Sequence, residues 1–133
     1  MHIAEHLEVT ERYCRLRVQG VVPLVEAVER VTQAIAFCRD HNIPKLLVDV
    51  TRLAELPALT LVDRFLMVED WAHEAKGIVI VAMAVRPEHI HPEKFGVMLA
   101  ADKGLRSDVF TSESEAREWL VAQIHVRVEP PAA

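Results

Sequence analysis

Glycine, cysteine and long apolar runs are scarce in this chain, and each shortage excludes a class of protein. Only four glycines occur, and none belongs to a P-loop, a Gly-x-Gly-x-x-Gly motif or a Gly-x-Ser-x-Gly nucleophile motif. Cys14 and Cys38 form no Cys-x-x-Cys pair, which excludes a zinc ribbon, and we expect two buried thiols without a disulfide. The longest apolar run, residues 78–85, is too short to span a bilayer, so we expect no stable membrane insertion.

Positive charge is also in short supply. The chain has 15 Lys and Arg against 20 Asp and Glu, a net charge of -5, and it has no local run of basic residues. Phosphate binding needs a basic patch, so we expect no nucleic acid as a partner. Residues 1–6 contain no basic stretch followed by an apolar core, which argues against a signal peptide, and we expect a cytoplasmic protein.

Hydrophobic residues, in contrast, make up 51% of the 133 positions, enough for the core of one domain. They alternate at Cys14, Leu16 and Val18, as in a strand, and recur at three- and four-residue intervals from residue 24 onward, as in a helix. The same patterns predict strands over residues 3–9, 13–18, 45–50, 78–85 and 109–110, and helices from 24 to a stop at 42–44, over 60–74, over 92–101 and from a cap at 111–112 to 124.

The predicted order is β-β-α-β-α-β-α-β-α, which indicates an α/β fold with a mixed sheet of four or five strands. Strands that are separated by helices become parallel neighbours through right-handed crossovers, and a leading hairpin with its turn at Glu11 and Arg12 adds an antiparallel strand. We expect the helices to pack on this sheet in a single domain over residues 1–124, followed by a C-terminal tail over residues 125–133.

Four segments of the chain resemble one known family. They are residues 45–51 with the sequence Lys-Leu-Leu-Val-Asp-Val-Thr, the apolar strand over 78–82, residues 95–104, and the short strand 109–110 with the helical residues 115–120. Together with the element order, they resemble the SpoIIAA-like (STAS-like) family over about residues 8–124. The resemblance implies a SpoIIAA/STAS-like sheet with packed helices, and a non-enzymatic regulatory module that binds a protein partner or itself.

The resemblance also implies a candidate modification site. In relatives of the anti-sigma-factor-antagonist type, a phosphorylatable Ser or Thr at the start of the helix after the central strand switches partner binding. Thr60 is the nearest hydroxyl at that helix start, whereas the Asp-Ser-Ser-Gly pattern of the antagonists is missing. A phosphate on Thr60 would lie near a helix N-terminus, which favours anions, and the alternative is a plain N-cap.

A polar cluster at the end of the central strand is a candidate binding site. Ligands of open α/β sheets gather at the carboxyl ends of strands. Asp49, Thr51 and Arg52 follow one predicted strand, and Arg86 follows the next. Asp49 and Arg86 could therefore meet and orient a small polar ligand, and the alternative is a structural ion pair or a loop cap.

Two apolar helices form a second candidate site. The apolar arc over residues 59–71, which includes Phe65, is wide, and Phe95, Met98 and Leu99 are predicted to face inward from the next helix. The pair could line a groove for a partner helix or for an apolar ligand such as a lipid. The resemblance supports the second use, since the family's fold is similar to that of lipid-transfer domains with a mobile helix flap. The alternative is ordinary core packing.

His89 and His91 are a candidate for metal binding. Two imidazoles one residue apart can converge on a metal from an extended segment, with Glu88 and Glu93 close by, but no further His or Cys is placed to complete a zinc site. A polar loop is the alternative, and we expect no metal, no cofactor and no catalytic residue.

A protein-interaction module is thus the preferred hypothesis for the function of this chain. A carrier of a small apolar ligand is the second hypothesis, and a metal-dependent enzyme is the third.

Overall fold

A mixed five-stranded sheet forms the centre of the computed structural model, which describes residues 3–124. The described residues contain seven strands, β1 (Leu7–Val9), β2 (Cys14–Arg17), β3 (Gly20–Val21), β4 (Lys45–Asp49), β5 (Leu53–Ala54), β6 (Ile80–Ala84) and β7 (Ser107–Phe110). Five of them form this sheet, and β3 and β5 form a separate two-stranded sheet. The helices are α1 (Leu24–Asp40), α2 (Leu61–Ala75), α3 (Phe95–Asp102) and α4 (Glu113–Ala122). The sheet order is β1-β2-β4-β6-β7, with β1 antiparallel to β2 and the other neighbours parallel. The predicted α/β class and mixed sheet are confirmed, and the predicted tail over 125–133 lies outside the described residues.

The two faces of the sheet carry different helices, because successive side chains of a strand point to opposite sides. In β4, Leu46 and Val48 join the core that α1, α2 and α3 cover. Leu47, between them, packs on the other side with Ala116 and Leu120 of α4. The protein is therefore a three-layer structure, and one face of the sheet depends on a single helix.

The prediction of a first strand over residues 3–9 is wrong in its first half. Ile3–His6 forms a 3-10 helix, and only Leu7–Val9 pairs with β2. The reason is packing, since Ile3 leaves the sheet to contact the core beside α1. The predicted hairpin turn is present, and the Thr10 hydroxyl closes it by donating to the Tyr13 carbonyl oxygen at 2.8 Å.

Residues 51–57, for which the sequence predicts neither a strand nor a helix, contain a short strand. Leu53–Ala54 pairs in parallel with Gly20–Val21, which lies beyond the strand predicted over residues 13–18. The burial of Leu53 holds β5 on the core. Gly20 has a φ of +84°, a left-handed conformation that glycine adopts without strain, and it turns the chain into β3. The sequence shows no alternation over two residues, so a pairing this short leaves no pattern to detect.

The third predicted helix is shorter and faces differently than expected. Pro87–His89 forms a 3-10 helix, and α3 begins at Phe95 rather than at residue 92. Met98, predicted to face inward, is 61% exposed, and Ala100 is the residue of α3 that is fully buried. None of the helices within residues 3–124 is both long and apolar enough to cross a membrane.

Cys14 and Cys38 lie side by side in the core between β2 and α1. Both are free thiols with no exposed surface, as predicted. The hydrogen bond with Cys14, together with burial, raises the pKa of the Cys38 thiol far above its ordinary value. The pair behaves as two small apolar side chains that hold the hairpin on the first helix.

Candidate functional site

A cavity of about 120 Å³ lies between the sheet and the helices α1, α2 and α3. Its walls are almost entirely apolar and come from every layer on this side of the protein, including Val28, Val31, Trp71, Val81, Met83 and Ala100. Gly96 of α3 is also part of the wall, and a Cβ atom there would make an ordinary contact with the Val68 Cγ2 atom at 3.9 Å. An apolar cavity of about 150 Å³ engineered into a protein core binds benzene, so this space suits a molecule of similar size or smaller.

Six polar side chains interrupt the apolar wall, namely Arg64, His89, His91, Lys94, Ser107 and Asp108, and two of them carry a buried nitrogen atom without a partner within residues 3–124. Arg64 Nε and His89 Nδ1 are both buried, and neither has a hydrogen-bond partner among residues 3–124. His89 as a whole is only 8% exposed. An unpaired buried polar atom costs about 1–3 kcal/mol, so two of them in one wall mark a place that suits a polar ligand group.

Local structure fixes the positions of these two residues. Arg64 lies in the first turn of α2, where the Thr60 side chain and Asp63 form a reciprocal capping box. His89 ends the 3-10 helix after β6, and its backbone N–H donates to the Arg86 carbonyl oxygen at 2.9 Å. The Arg64 guanidinium donates from Nη2 to the His89 carbonyl oxygen at 3.2 Å, so the two residues form one unit at the edge of the cavity.

The charge of Arg64 is not neutralised by the residues around it. Burial lowers the pKa of Arg64 below its ordinary value, and only the charge of Asp63 opposes this. No carboxylate within residues 3–124 lies within 4.0 Å of the guanidinium. The other cation in the wall, Lys94, pairs with Asp108 at 2.7 Å. Arg64 is therefore the charge of this cavity that lacks a counterion among the described residues.

The polar cluster predicted at the end of the central strand is held together by Thr51. Asp49 Oδ1 accepts from the Thr51 N–H at 2.9 Å and from the Thr51 hydroxyl at 2.7 Å. Arg86 Nε donates to the Thr51 carbonyl oxygen at 3.0 Å, so Asp49 and Arg86 are bridged and form no direct pair. The Arg52 side chain is exposed, and its carbonyl oxygen accepts from the Gly20 N–H. The arrangement matches the loop-cap alternative.

Glu113, which the sequence did not single out, joins this end of the sheet to α4. Its carboxylate accepts from Arg15 Nη1 at 2.9 Å and from Arg17 Nη2 at 3.1 Å, and Arg15 also pairs with Glu8. Burial raises the pKa of Glu113, but its contacts with Arg17, Asp49 and Arg15 outweigh burial and hold the pKa below its ordinary value. The signal was two arginines on one face of a strand together with an acid in the first turn of a helix.

This network predicts a loss of stability in acid. Because the folded-state pKa of Glu113 is lowered, its stabilising contribution is complete above the ordinary glutamate pKa of about 4.3 and disappears as the pH falls through the lower, folded-state value. Urea unfolding from pH 7 to pH 3 should show that Glu113→Gln is less stable than the parent at pH 7 and approaches it in acid. Glu118→Gln, at an exposed position on the same helix, should parallel the parent throughout, and a parallel Glu113→Gln curve would contradict the assignment.

The remaining predicted site residues lie outside the cavity. Thr60 is exposed, and its hydroxyl accepts from the Asp63 N–H at 3.0 Å as an N-cap, so its phosphorylation stays a prediction. Phe65 lies on the outer face of α2 with Lys103 Nζ 5.3 Å from its ring centre. The Phe95 ring lies 6.0 Å from that of His91. Phe65 belongs to α2 and Phe95 to α3, but neither side chain lines the cavity.

The two histidines considered as candidate metal ligands both line the cavity but have different contacts. His89 Nδ1 is buried without a partner within residues 3–124, whereas His91 Nδ1 accepts from the Glu93 N–H at 3.1 Å in the following turn. Within residues 3–124, no three His, Cys, Asp or Glu side chains are grouped in a way that could hold a metal ion. The geometry therefore gives no support to the third hypothesis, a metal-dependent enzyme.

Arg64 is the residue that sequence reasoning missed at this site. The buried residues Val68, Trp71 and Ala75 of α2 recur at helical spacing, and one step back along that stripe is Arg64. A charged residue in line with a buried stripe was therefore visible before the structure was known. The wide apolar arc of this helix hides that signal, because it also includes Leu61, Val62, Phe65 and Leu66, which are exposed.

The cavity and the polar cluster differ in whether their buried polar atoms have hydrogen-bond partners. Asp49 and Glu113 are bonded to their neighbours, whereas Arg64 and His89 retain buried nitrogen atoms without partners within residues 3–124. No protein-family model matches this chain and no curated protein matches it, so a function can be inferred only from the cavity and the charges around it.

Proposed function

We propose that the protein binds a small apolar molecule in the cavity between the sheet and the helices α1, α2 and α3. The supporting observation is the size and lining of that space, about 120 Å³ bounded by side chains such as Val31, Trp71 and Val81. Protein cores are close-packed and rarely leave spaces larger than a water molecule. A concave apolar site with a few well-placed polar groups is the usual form of a ligand-binding pocket.

The size of the cavity narrows the ligand class. A long acyl chain does not fit in 120 Å³, whereas an aromatic ring or a short branched chain does. We therefore favour a carrier or sensor of a small organic molecule over a lipid carrier.

The proposal also includes membership of the SpoIIAA-like family and a cytoplasmic location. The mixed sheet with four packed helices supports the family membership.

Toluene is a suitable probe for this proposal, because it is neutral and has the size of the cavity. We expect toluene to raise the melting temperature of the protein in a concentration-dependent way, since a ligand that binds only the folded state stabilises it. Ala100→Leu, which adds three carbon atoms to the cavity wall, should weaken toluene binding by at least about tenfold. Isothermal titration calorimetry measures the affinities.

Ala101→Leu is the matched control, because Ala101 is the next residue of α3 and is exposed. It should bind toluene as the parent does. If the parent protein shows no toluene binding by calorimetry or thermal shift, the proposed function is wrong. Equal binding by the Ala100→Leu protein, with its fold verified by circular dichroism, would place toluene elsewhere.

Self-association is a second candidate function, and it is a form of the predicted protein-interaction module. The outer face of α2 and α3 exposes five large apolar side chains, Leu61, Val62, Phe65, Leu66 and Met98. A second copy of the chain is the occupant we favour, since an apolar face is its own complement in a two-fold dimer. Sedimentation of the ligand-free protein decides this, because a monomer at high concentration excludes the dimer.

A further inference from the structure

We propose that the bound molecule is a monocarboxylate, held through its carboxylate by the guanidinium of Arg64 and the imidazole of His89. The inference rests on the function proposed above and goes further, because it names the polar end of the ligand. It also assigns a role to the two buried nitrogen atoms that have no partner among residues 3–124, Arg64 Nε and His89 Nδ1.

The donors are arranged for an anion. The guanidinium has five N–H groups, and an N–H of Nη2 donates to the His89 carbonyl oxygen at 3.2 Å. Arg64 lines the cavity and its Nε is buried without a partner among residues 3–124, so an oxygen atom of a ligand would supply the acceptor that this N–H lacks. The same hydrogen bond ties the guanidinium to the backbone of His89, the residue whose Nδ1 is the second buried nitrogen atom without a partner among residues 3–124. A planar carboxylate is the usual partner of a guanidinium.

The net charge at the site favours one negative charge over two. Lys94 is already paired with Asp108 at the edge of the cavity, which leaves Arg64 as the cation without a counterion among the described residues. A carboxylate neutralises that single charge. A phosphate dianion would leave an excess negative charge against an apolar wall, where unpaired charge is strongly disfavoured.

The apolar part of the ligand follows from the cavity beyond these two residues. Trp71, Val81 and Ala100 bound a space that is close in size to one benzene ring. The chemistry that satisfies both ends is a small aromatic or branched-chain acid. Phenylacetate is the appropriate probe, and toluene is its neutral counterpart because it keeps the ring and lacks the carboxylate.

The test compares the two probes by calorimetry on the parent protein and on three variants. The parent should bind phenylacetate at least about tenfold more tightly than toluene. Arg64→Gln and His89→Gln should each remove most of this preference, which is the ratio of the two affinities measured on the same variant. Arg117→Gln, which removes an equal charge from an exposed position on α4, should keep the preference.

Each other outcome overturns a defined part of the proposal. If toluene binds and phenylacetate binds no more tightly, the cavity is a ligand site and the carboxylate inference is wrong. If neither probe binds, the function proposed above is wrong as well. If benzyl phosphate binds more tightly than phenylacetate, the polar end of the ligand is a phosphate. Arg64→Gln and His89→Gln report on the same preference for phenylacetate. If one of these variants does not fold, the other still tests the inference.

Discussion

Trp71→Ala is expected to lower the free energy of unfolding by about 3–5 kcal/mol, a large part of the 5–15 kcal/mol typical of a domain. The indole ring is buried against α1 and forms part of the cavity wall, and its Nε1 donates to the Val28 carbonyl oxygen at 3.4 Å. Removing the ring enlarges a space that is already present. The surrounding helices cannot collapse into it without breaking their contacts with the sheet.

Urea unfolding followed by circular dichroism measures this loss as a shift of the midpoint. Leu66→Ala is the matched control, because Leu66 lies on the same helix and is 55% exposed, and it should cost about 0.5 kcal/mol or less. If Trp71→Ala costs less than about 1 kcal/mol, the ring is not packed as described.

Leu47→Ala is expected to cost about 2–5 kcal/mol without changing the affinity for toluene. Leu47 is fully buried between β4 and α4, on the face of the sheet that is opposite to the cavity. The substitution therefore weakens the protein through the layer that plays no part in ligand binding. The two readouts, unfolding and calorimetry, separate stability from function in one variant.

Leu46→Ala provides the comparison, because Leu46 is the preceding residue of the same strand and faces the other core. We expect a similar loss of stability there. Should Leu47→Ala weaken toluene binding by more than about tenfold at a temperature where it is folded, the two faces would be coupled and the cavity would depend on α4.

The central strands and their flanking helices were predictable because their apolar pattern is long. β4 and β6 are buried on both sides, which leaves a continuous apolar run, and α1 shows a clear helical stripe through Val31 and Cys38. Local capping also left a signal, since Thr60 precedes α2 with Asp63 three residues later. Elements of this kind depend on local sequence, so a single chain is enough to place them.

What the sequence could not supply were choices that depend on tertiary packing. The apolar residues of α2 fall into an inner and an outer group, and hydrophobicity alone does not tell Leu66, which is exposed, from Val68, which is buried. Likewise, His89 was singled out for its chemistry, but its burial beside Arg64 follows from how the 3-10 helix meets α2. The candidate site was therefore located only in part, through the helices that cover it.

The thiol pair between β2 and α1 gives the protein its own reporter of unfolding. Cys14 and Cys38 are the only cysteines of the chain and both are fully covered, so a thiol-reactive dye can modify them only when that part of the fold opens. The rate of labelling therefore measures how often the hairpin separates from α1, without the need to introduce a cysteine. Each variant discussed above can be followed in this way, and a ligand in the neighbouring cavity should slow the reaction if it stabilises the same core.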